Sequence, residues 1–265
     1  MEQEKNLNGV LLKVENVNKH FGGVYAVNNV SLNVHKGQIK SVIGPNGAGK
    51  TTFFNLISGV IPPDSGSILL DGKSIDQKPP HEIAKRGISR TFQTMQLFDN
   101  MSVLENVMVG RHIRTTAGIL RTAFRAFGAR SEEKNIKESA YHWLNFVGLK
   151  QKADQPAGSL PCGQQKLLEI ARALATDPKL LLLDEPAAGL NIRETEDLGT
   201  LLKEIQGLGV TQILVEHDMS LVMEVSDELF VLDYGKKVAE GVPKDIQNNP
   251  DVIAIYLGEE KSADA

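Results

Sequence analysis

Residues 41–59 read SVIGPNGAGKTTFFNLISG, and the order of strand, glycine turn and helix in them decides the fold. The apolar run at 38–44 has strand character and enters Gly44-Pro45-Asn46-Gly47-Ala48-Gly49-Lys50-Thr51-Thr52, a match to G-x-x-x-x-G-K-[ST]. The next residues, FFNLISG, read as helix. A glycine-rich turn in that setting curls until successive backbone N–H groups face one anion. Lys50 adds a point charge to the same oxygens, and the Thr51 hydroxyl is placed for Mg2+. The stretch is read as a site for the phosphates of a nucleoside triphosphate.

Other runs place this motif in a larger frame. LLKVENV (11–17), VYAVNNVSLNV (24–34) and GSILLDG (66–72) alternate as strands. LLLLD (180–184) and TQILVEH (211–217) are short continuous apolar runs, which suit parallel strands covered on both faces. Residues 95–176 read as helix with little strand character. This order predicts an α/β P-loop core, about 10–94 and 177–258, with an inserted helical subdomain at about 95–176. The tail 259–265 reads as disordered.

LLLLDEP supplies the second acidic element that a Mg2+–nucleotide site needs. Asp184 is read as holding Mg2+, directly or through water, and Glu185 as polarising the attacking water. His217 ends the other apolar strand and reaches the same sheet edge, where ligands bind in such folds.

Composition excludes several other classes. With 265 residues, 23% charged and a net charge of −4, there is no basic bias toward nucleic acid. The first ten residues lack a signal-peptide core, and no run approaches the ~18 apolar residues of a membrane span. One cysteine allows no internal disulfide. The expected setting is cytoplasmic.

Further motifs resemble the ATP-binding subunits of ABC transporters, from about residue 11 to 258. Arg90-Thr-Phe-Gln-Thr94 looks like that family's Q-loop, with Gln93 as its glutamine and a further Mg2+ contact. Leu160-Pro161-Cys162-Gly163-Gln164 stands where the family signature is usually LSGGQ. His217 falls at the switch histidine, and Phe21 at the aromatic that stacks on adenine. Ala188-Gly189-Leu190-Asn191 stands at the dimer loop. The resemblance implies a RecA-like core with an antiparallel β subdomain, ATP and Mg2+ as ligands, and two ATPase subunits facing head to tail. Each signature helix then completes the partner's site with its positive end. Pro161 removes the signature hydroxyl, leaving the Gly163 N–H and the helix dipole. Cys162 is read as a small, partly buried apolar residue. Asn191 keeps a hydrogen bond across the dimer without a charge.

LPCGQQ, EPAAGLN, SRTFQTMQLFDNMSVLENV (89–107) and NNPDVIAIYLGEE (248–260) resemble the branch that serves branched-chain amino-acid importers. Urea importers and lipopolysaccharide export are related alternatives. A ribosomal or DNA-repair ABC ATPase is a different class, but the chain holds neither two ATPase halves nor sustained heptads. The implied partners are integral-membrane permease subunits and a second ATPase, a sister chain or a copy of this one. A solute-binding protein joins indirectly through the permease. The implied location is the cytoplasmic face of the membrane, where permease subunits hold the chain.

The insert RHIRTTAGILRTAFRAFGARSEEKN (111–135) carries five arginines before its first acid, Glu132. Ile119, Leu120, Ala123, Phe124 and Phe127 fall on one helical face, with Arg121 and Arg125 beside it. Two roles suit it: cover for the helical subdomain, or contact of its basic side with permease or anionic lipid. Each arginine near an anionic leaflet is worth about 1 kcal/mol. In the second role Arg121→Glu with Arg125→Glu leaves the ATPase of the free subunit unchanged and weakens assembly with permease-containing membranes, most at low salt. Normal assembly at low ionic strength establishes the covering role.

Overall fold

A computed structural model describes residues 9–91, 96–112 and 128–263. Two sheets meet around the phosphate-binding turn. The first is antiparallel, in the order β2-β1-β4-β5, from β1 (Val10–Phe21), β2 (Val24–His35), β4 (Ser65–Leu70) and β5 (Lys73–Ser74). The second has the order β10-β9-β3-β8-β7-β6. Its parallel strands are β3 (Ile39–Ile43), β6 (Ile88–Arg90), β7 (Leu180–Asp184), β8 (Thr211–Val215) and β9 (Glu228–Asp233), with β10 (Lys236–Gly241) antiparallel at the edge.

The run Leu180–Leu183 shows why the central strands must be apolar throughout. Successive side chains point to opposite faces. Leu180 and Leu182 enter the core shared with Phe53 and Phe54, while Leu181 and Leu183 enter the core shared with the helical segment. Phe53, Phe54 and Phe230 are fully buried, and each contributes about 2–3 kcal/mol by leaving water. Lys40 is the polar exception on β3. Its ammonium, 1% exposed, donates to the Asn33 carbonyl at 2.6 Å and to the carboxylates of Glu228 and Glu240. A buried charge is tolerated only with such partners.

The helices are α1 (Lys50–Ile57), α2 (Pro80–Arg86), α3 (Val103–His112), α4 (Gly128–Phe146), α5 (Cys162–Leu174), α6 (Ile192–Gly207), α7 (Met219–Val225), α8 (Pro243–Gln247) and α9 (Pro250–Ala263). Among the described residues no named strand lies between Arg90 and Leu180. On α4, Ile136, Ala140 and Leu144 recur every four residues and are buried, the spacing of one helical face.

Two expectations change. Residues 259–263 continue α9 instead of trailing as a disordered tail. Their charged composition argued for disorder, but Glu, Lys and Ala also carry a helix forward once it has started. The edge hairpin β9–β10 was not anticipated. Its turn, Tyr234 (φ 44) and Gly235 (φ 74), has two left-handed residues, the geometry that matches strand twist in a two-residue hairpin. Most of the basic insert, 113–127, lies outside the described residues.

Gly44 and Gly49 have φ 147 and 103. A Cβ at Gly44 would stand 1.9 Å from the Leu232 carbonyl oxygen, and one at Gly49 would stand 2.2 Å from that of Ala26. Gly47, at φ 80, has open space. Gly44→Ala therefore costs about 3 kcal/mol or more, from strain plus a backbone clash, and lowers the melting midpoint by roughly 10 °C. Gly47→Ala costs only about 1 kcal/mol of left-handed strain. Thermal unfolding of the nucleotide-free chain checks the contrast, and equal losses contradict the clash.

Candidate functional site

β3, β8 and β7 are parallel neighbours, so the loops that leave them emerge on one edge. Val215 pairs with Val42 on one side and with Asp184 on the other. The glycine turn and Asp184 therefore stand at one level with a single strand between them, about 10 Å apart by strand spacing. His217 leaves the strand in the middle.

Lys50 is buried. Its Nζ donates to the carbonyls of Gly44 at 2.5 Å and Pro45 at 2.9 Å, so the ammonium lies under the turn that precedes it. Asn46 and Gly47 are exposed at the rim, Ala48 is buried, and Thr51 opens to solvent at the start of α1. Gly49 caps α1 without a side-chain hydrogen bond, and the first turn holds no acid.

That bare N-terminus stands out against other helices. Ser102 and Glu105 exchange bonds at the start of α3, and Asn191 and Glu194 form a capping box on α6. Asp218 caps α7, and Asn249 accepts from Asp251 and Val252 at the start of α9. The signature helix α5 resembles α1: Pro161 is its N-cap, with no side-chain bond and no acid in the first turn. Uncapped first-turn N–H groups favour an anion. The proline costs nothing there, because its carbonyl accepts from Gln165 N at 3.0 Å and the N-cap N–H is not needed.

At the end of β7, Asp184 is 2% exposed. Its Oδ2 accepts from Arg90 Nη2 at 2.8 Å, and its Oδ1 is buried with no hydrogen-bond partner among the described residues. Glu185 has φ 50, an uncommon conformation for a residue other than glycine. Its N–H donates to the Val215 carbonyl at 2.8 Å, and its Oε1 lies 3.1 Å from His217 Nε2. The Glu185 carbonyl accepts from Lys166 Nζ of α5 at 3.1 Å. Strained backbone thus aims one carboxylate at one imidazole.

Phe21 is 53% exposed at the tip of the β1–β2 hairpin, which rules out a core role. Just before it, Asp64 accepts from Lys19 Nζ at 2.7 Å and His20 N at 2.8 Å. The Lys19 hydrogen bond above all holds the Asp64 carboxyl down at a pKa of about 2. The hairpin reaches the phosphate turn through Ala26, against which Gly49 packs.

Gln93 lies in 92–95, outside the described residues. Its flanks are anchored: Thr91 Oγ1 accepts from Asp184 N at 3.3 Å, and Gln96 N donates to Glu169 Oε1 of α5 at 2.9 Å. Burial pushes the Glu169 carboxyl up.

In the signature, Leu160 is buried and Gln164 accepts from Lys152 Nζ at 2.6 Å. A Cβ on Gly163 would meet Glu194 Oε1 at 2.9 Å. Cys162 is exposed, which corrects the partly buried reading: as the first helical residue it projects from the helix end. Ala188 and Gly189 are exposed and Leu190 is half-buried. The Asn191 side chain accepts from Glu194 N at 3.0 Å, so within this chain it serves as a helix cap.

Sequence reasoning missed Glu216. It is 4% exposed; its Oε1 accepts from Ala187 N at 2.5 Å and its Oε2 from His217 N at 2.8 Å. It ties the loop after Glu185 to the loop carrying His217. An acid beside a strand-end histidine was the available signal, hidden because the run read as apolar.

Among the described residues no cluster of three or more His, Cys, Asp or Glu could hold a metal, and no helix is long and apolar enough to cross a membrane.

Residues 27–188 match the ABC transporter family. The chain belongs to that family. Residues 236–262 of the cassette also match a C-terminal family described as branched-chain amino acid ATP-binding cassette transporter. The cassette is 46% identical over 250 residues to the high-affinity branched-chain amino acid transport ATP-binding protein BraF of Pseudomonas aeruginosa, spanning 94% of this chain and 98% of that one. It resembles a solved ADP conformation of an ABC transporter cassette with a TM-score of 0.82 and 37% identity, over 94% of this chain and 99% of the other. A dimeric bacterial ABC transporter cassette matches with a TM-score of 0.75 and 27% identity, over 88% and 99%. ATP binding and hydrolysis come with this membership.

Glu216→Gln turns one acceptor oxygen into a donor facing a backbone N–H. The cassette then loses about 1–3 kcal/mol of unfolding free energy, the cost of a buried group left unpaired. Its ATPase falls as well, because both loops loosen. Denaturant unfolding and steady-state hydrolysis measure the two effects; wild-type stability would contradict the bonding.

Proposed function

We propose that this chain is the ATP-hydrolysing subunit that energises a membrane importer of branched-chain amino acids. The observation that carries the hydrolytic reading is the Glu185–His217 pair, 3.1 Å apart on the edge that bears the glycine turn. The solute follows from the relative in P. aeruginosa and from the C-terminal match. The working unit is one cassette, 1–258, with core 10–94 and 177–258 and helical subdomain 95–176.

In this reading Phe21 stacks on adenine, whose face needs no base-specific bond. Residues Gly44, Pro45, Asn46, Gly47, Ala48, Gly49, Lys50, Thr51 and Thr52 wrap the phosphates. Lys50, freed from the Gly44 and Pro45 carbonyls, meets the β- and γ-phosphate oxygens. Glu185 accepts a proton from the attacking water, and His217 holds the carboxylate and donates toward the γ-phosphate.

Mg2+ suits the residues present, since Asp184 offers a buried oxygen without a hydrogen-bond partner among the described residues. Thr51, Asp184 and Gln93 would hold the ion, which supplies charge neutralisation at the β- and γ-phosphates when bound.

The second half of the site comes from another ATPase subunit. Its Leu160, Pro161, Cys162, Gly163 and Gln164 present an uncapped helix end to the γ-phosphate, and its residues 188–191 line the dimer contact. That subunit is a sister chain or a second copy of this one. Permease subunits hold the pair at the cytoplasmic face of the membrane, and a solute-binding protein acts through them.

Glu185→Gln keeps ATP binding and slows hydrolysis by about 10²–10⁴-fold, so the ATP-bound dimer accumulates. Lys50→Ala differs by weakening nucleotide binding too, since it removes a ground-state contact. Single-turnover hydrolysis and nucleotide titration separate them; Glu185→Gln hydrolysis within a few-fold of wild type removes the base. Reconstitution with the permease subunits tests the solute: leucine-dependent ATPase supports the reading, and dependence on urea replaces it.

A further inference from the structure

Arg90 ends β6, directly before Thr91, and its side chain is 8% exposed. Four groups among the described residues lie around the guanidinium. Nη2 donates to Asp184 Oδ2 at 2.8 Å; Nη1 donates to Asn55 Oδ1 at 2.7 Å and to Ser58 Oγ at 3.0 Å; and the Phe54 ring centroid lies 5.6 Å away.

The registers explain how one side chain reaches so many partners. Arg90 pairs with Leu182 on the neighbouring strand, and Asp184 lies two residues beyond Leu182. Residues two apart share a sheet face, so Arg90 and Asp184 are diagonal neighbours on the face that α1 covers. Thr51 and Asn55 of α1 and its C-cap Ser58 are spaced i, i+4, i+7 and form one ridge. The arginine lies between that ridge and the Asp184 carboxylate.

We infer that Arg90 is a positioning residue for the metal: it sets the distance and orientation between Thr51 and Asp184. This rests on the reading of those two residues as the metal-binding pair. The guanidinium engages one carboxylate oxygen, Oδ2, and leaves Oδ1 buried and without a partner among the described residues. The planar fork holds Asp184 through Nη2 while Nη1 holds Asn55 and Ser58, a fixed spread of donors that a lysine ammonium cannot reproduce. It also supplies the charged partner that a buried carboxylate needs. The same side chain is braced from α1, so a shift of α1 against β7 is resisted at the point where the two halves of the metal site face each other. Nothing in the glycine turn, the acidic pair or the histidine specifies an arginine here.

The test measures Mn2+ binding directly, by the paramagnetic resonance signal of free Mn2+, to the full chain with a non-hydrolysable ATP analogue. Arg90→Met weakens Mn2+ binding about tenfold, the scale of losing a residue that orients a metal ligand. Analogue affinity in chelator stays near wild type. Arg90→Lys recovers part of the loss, because it restores charge without the fork. A brace with no metal role predicts a lower melting midpoint with unchanged Mn2+ affinity, and that result overturns the inference; so does tighter Mn2+ binding. If Arg90→Met does not fold, Asn55→Ala with Ser58→Ala removes the support of Nη1 without touching Asp184. That pair weakens Mn2+ by a few-fold, and unchanged affinity again overturns the inference. Asp184→Asn separates the two readings. If it leaves Mn2+ binding unaltered, the metal assignment falls and the inference with it. If it weakens binding while Arg90→Met does not, the inference alone falls.

Discussion

No side chain fits at Gly44 or Gly49, and the rest of the site depends on that close approach. At Gly44 the phosphate turn touches the Leu232 carbonyl of β9, in the parallel sheet. At Gly49 it touches the Ala26 carbonyl of β2, in the antiparallel sheet. The turn is therefore the seam between the two sheets. Gly235 reinforces the seam: its N–H donates to the Ala48 carbonyl at 2.9 Å, and its carbonyl accepts from Asn28 N at 2.7 Å. A backbone held from both sides keeps its N–H groups in place before any ligand arrives, which lowers the ordering cost of binding.

Capping sets two groups of helices apart, with α2 and α8 between them: those two lack a side-chain cap but carry an acid, Glu82 and Asp245, in the first turn. Those that only need to end neatly, α3, α6, α7 and α9, satisfy their first N–H groups with their own side chains. The helices proposed to meet phosphate, α1 and α5, leave those groups bare. A capped helix would present a carboxylate or amide oxygen where an anion must sit, so a cap and a phosphate exclude each other. Asn191 shows the boundary between the two designs. It stands in the dimer loop, yet its side chain is committed to Glu194 within the same chain.

The polar groups buried near the sheet edge work in linked pairs. Glu216 joins the Ala187 and His217 backbones, Lys166 joins α5 to the Glu185 carbonyl, and Arg90 joins α1 to Asp184. Each bond spans two elements, so the Glu185–His217 pair, α5 and α1 do not move independently. Such groups are costly if unpaired. Pairing them between elements turns that cost into a fixed geometry.

The resemblance of Gly44 to Thr52, Asp184, Glu185 and His217 to a nucleotide site was legible in the sequence because such chemistry demands particular residue types at fixed spacing. The central strands were legible for a related reason: burial on both faces forces LLLLD and TQILV to be apolar throughout. The helical stretch after residue 95 was legible in its lack of strand character. The hairpin β9–β10, the run of α9 to Ala263 and the exposure of Cys162 were not, since each depends on what packs beside it. Glu216 and Arg90 read as ordinary polar residues in sequence, and only the register of β6, β7 and β8 decides what they hold. By itself the sequence determined the family and the chemistry proposed for the site, because phosphate and water contacts constrain residue identity directly. Which groups hold that chemistry in place was decided by the tertiary structure, because positioning works through distance between strands and helices far apart in the chain.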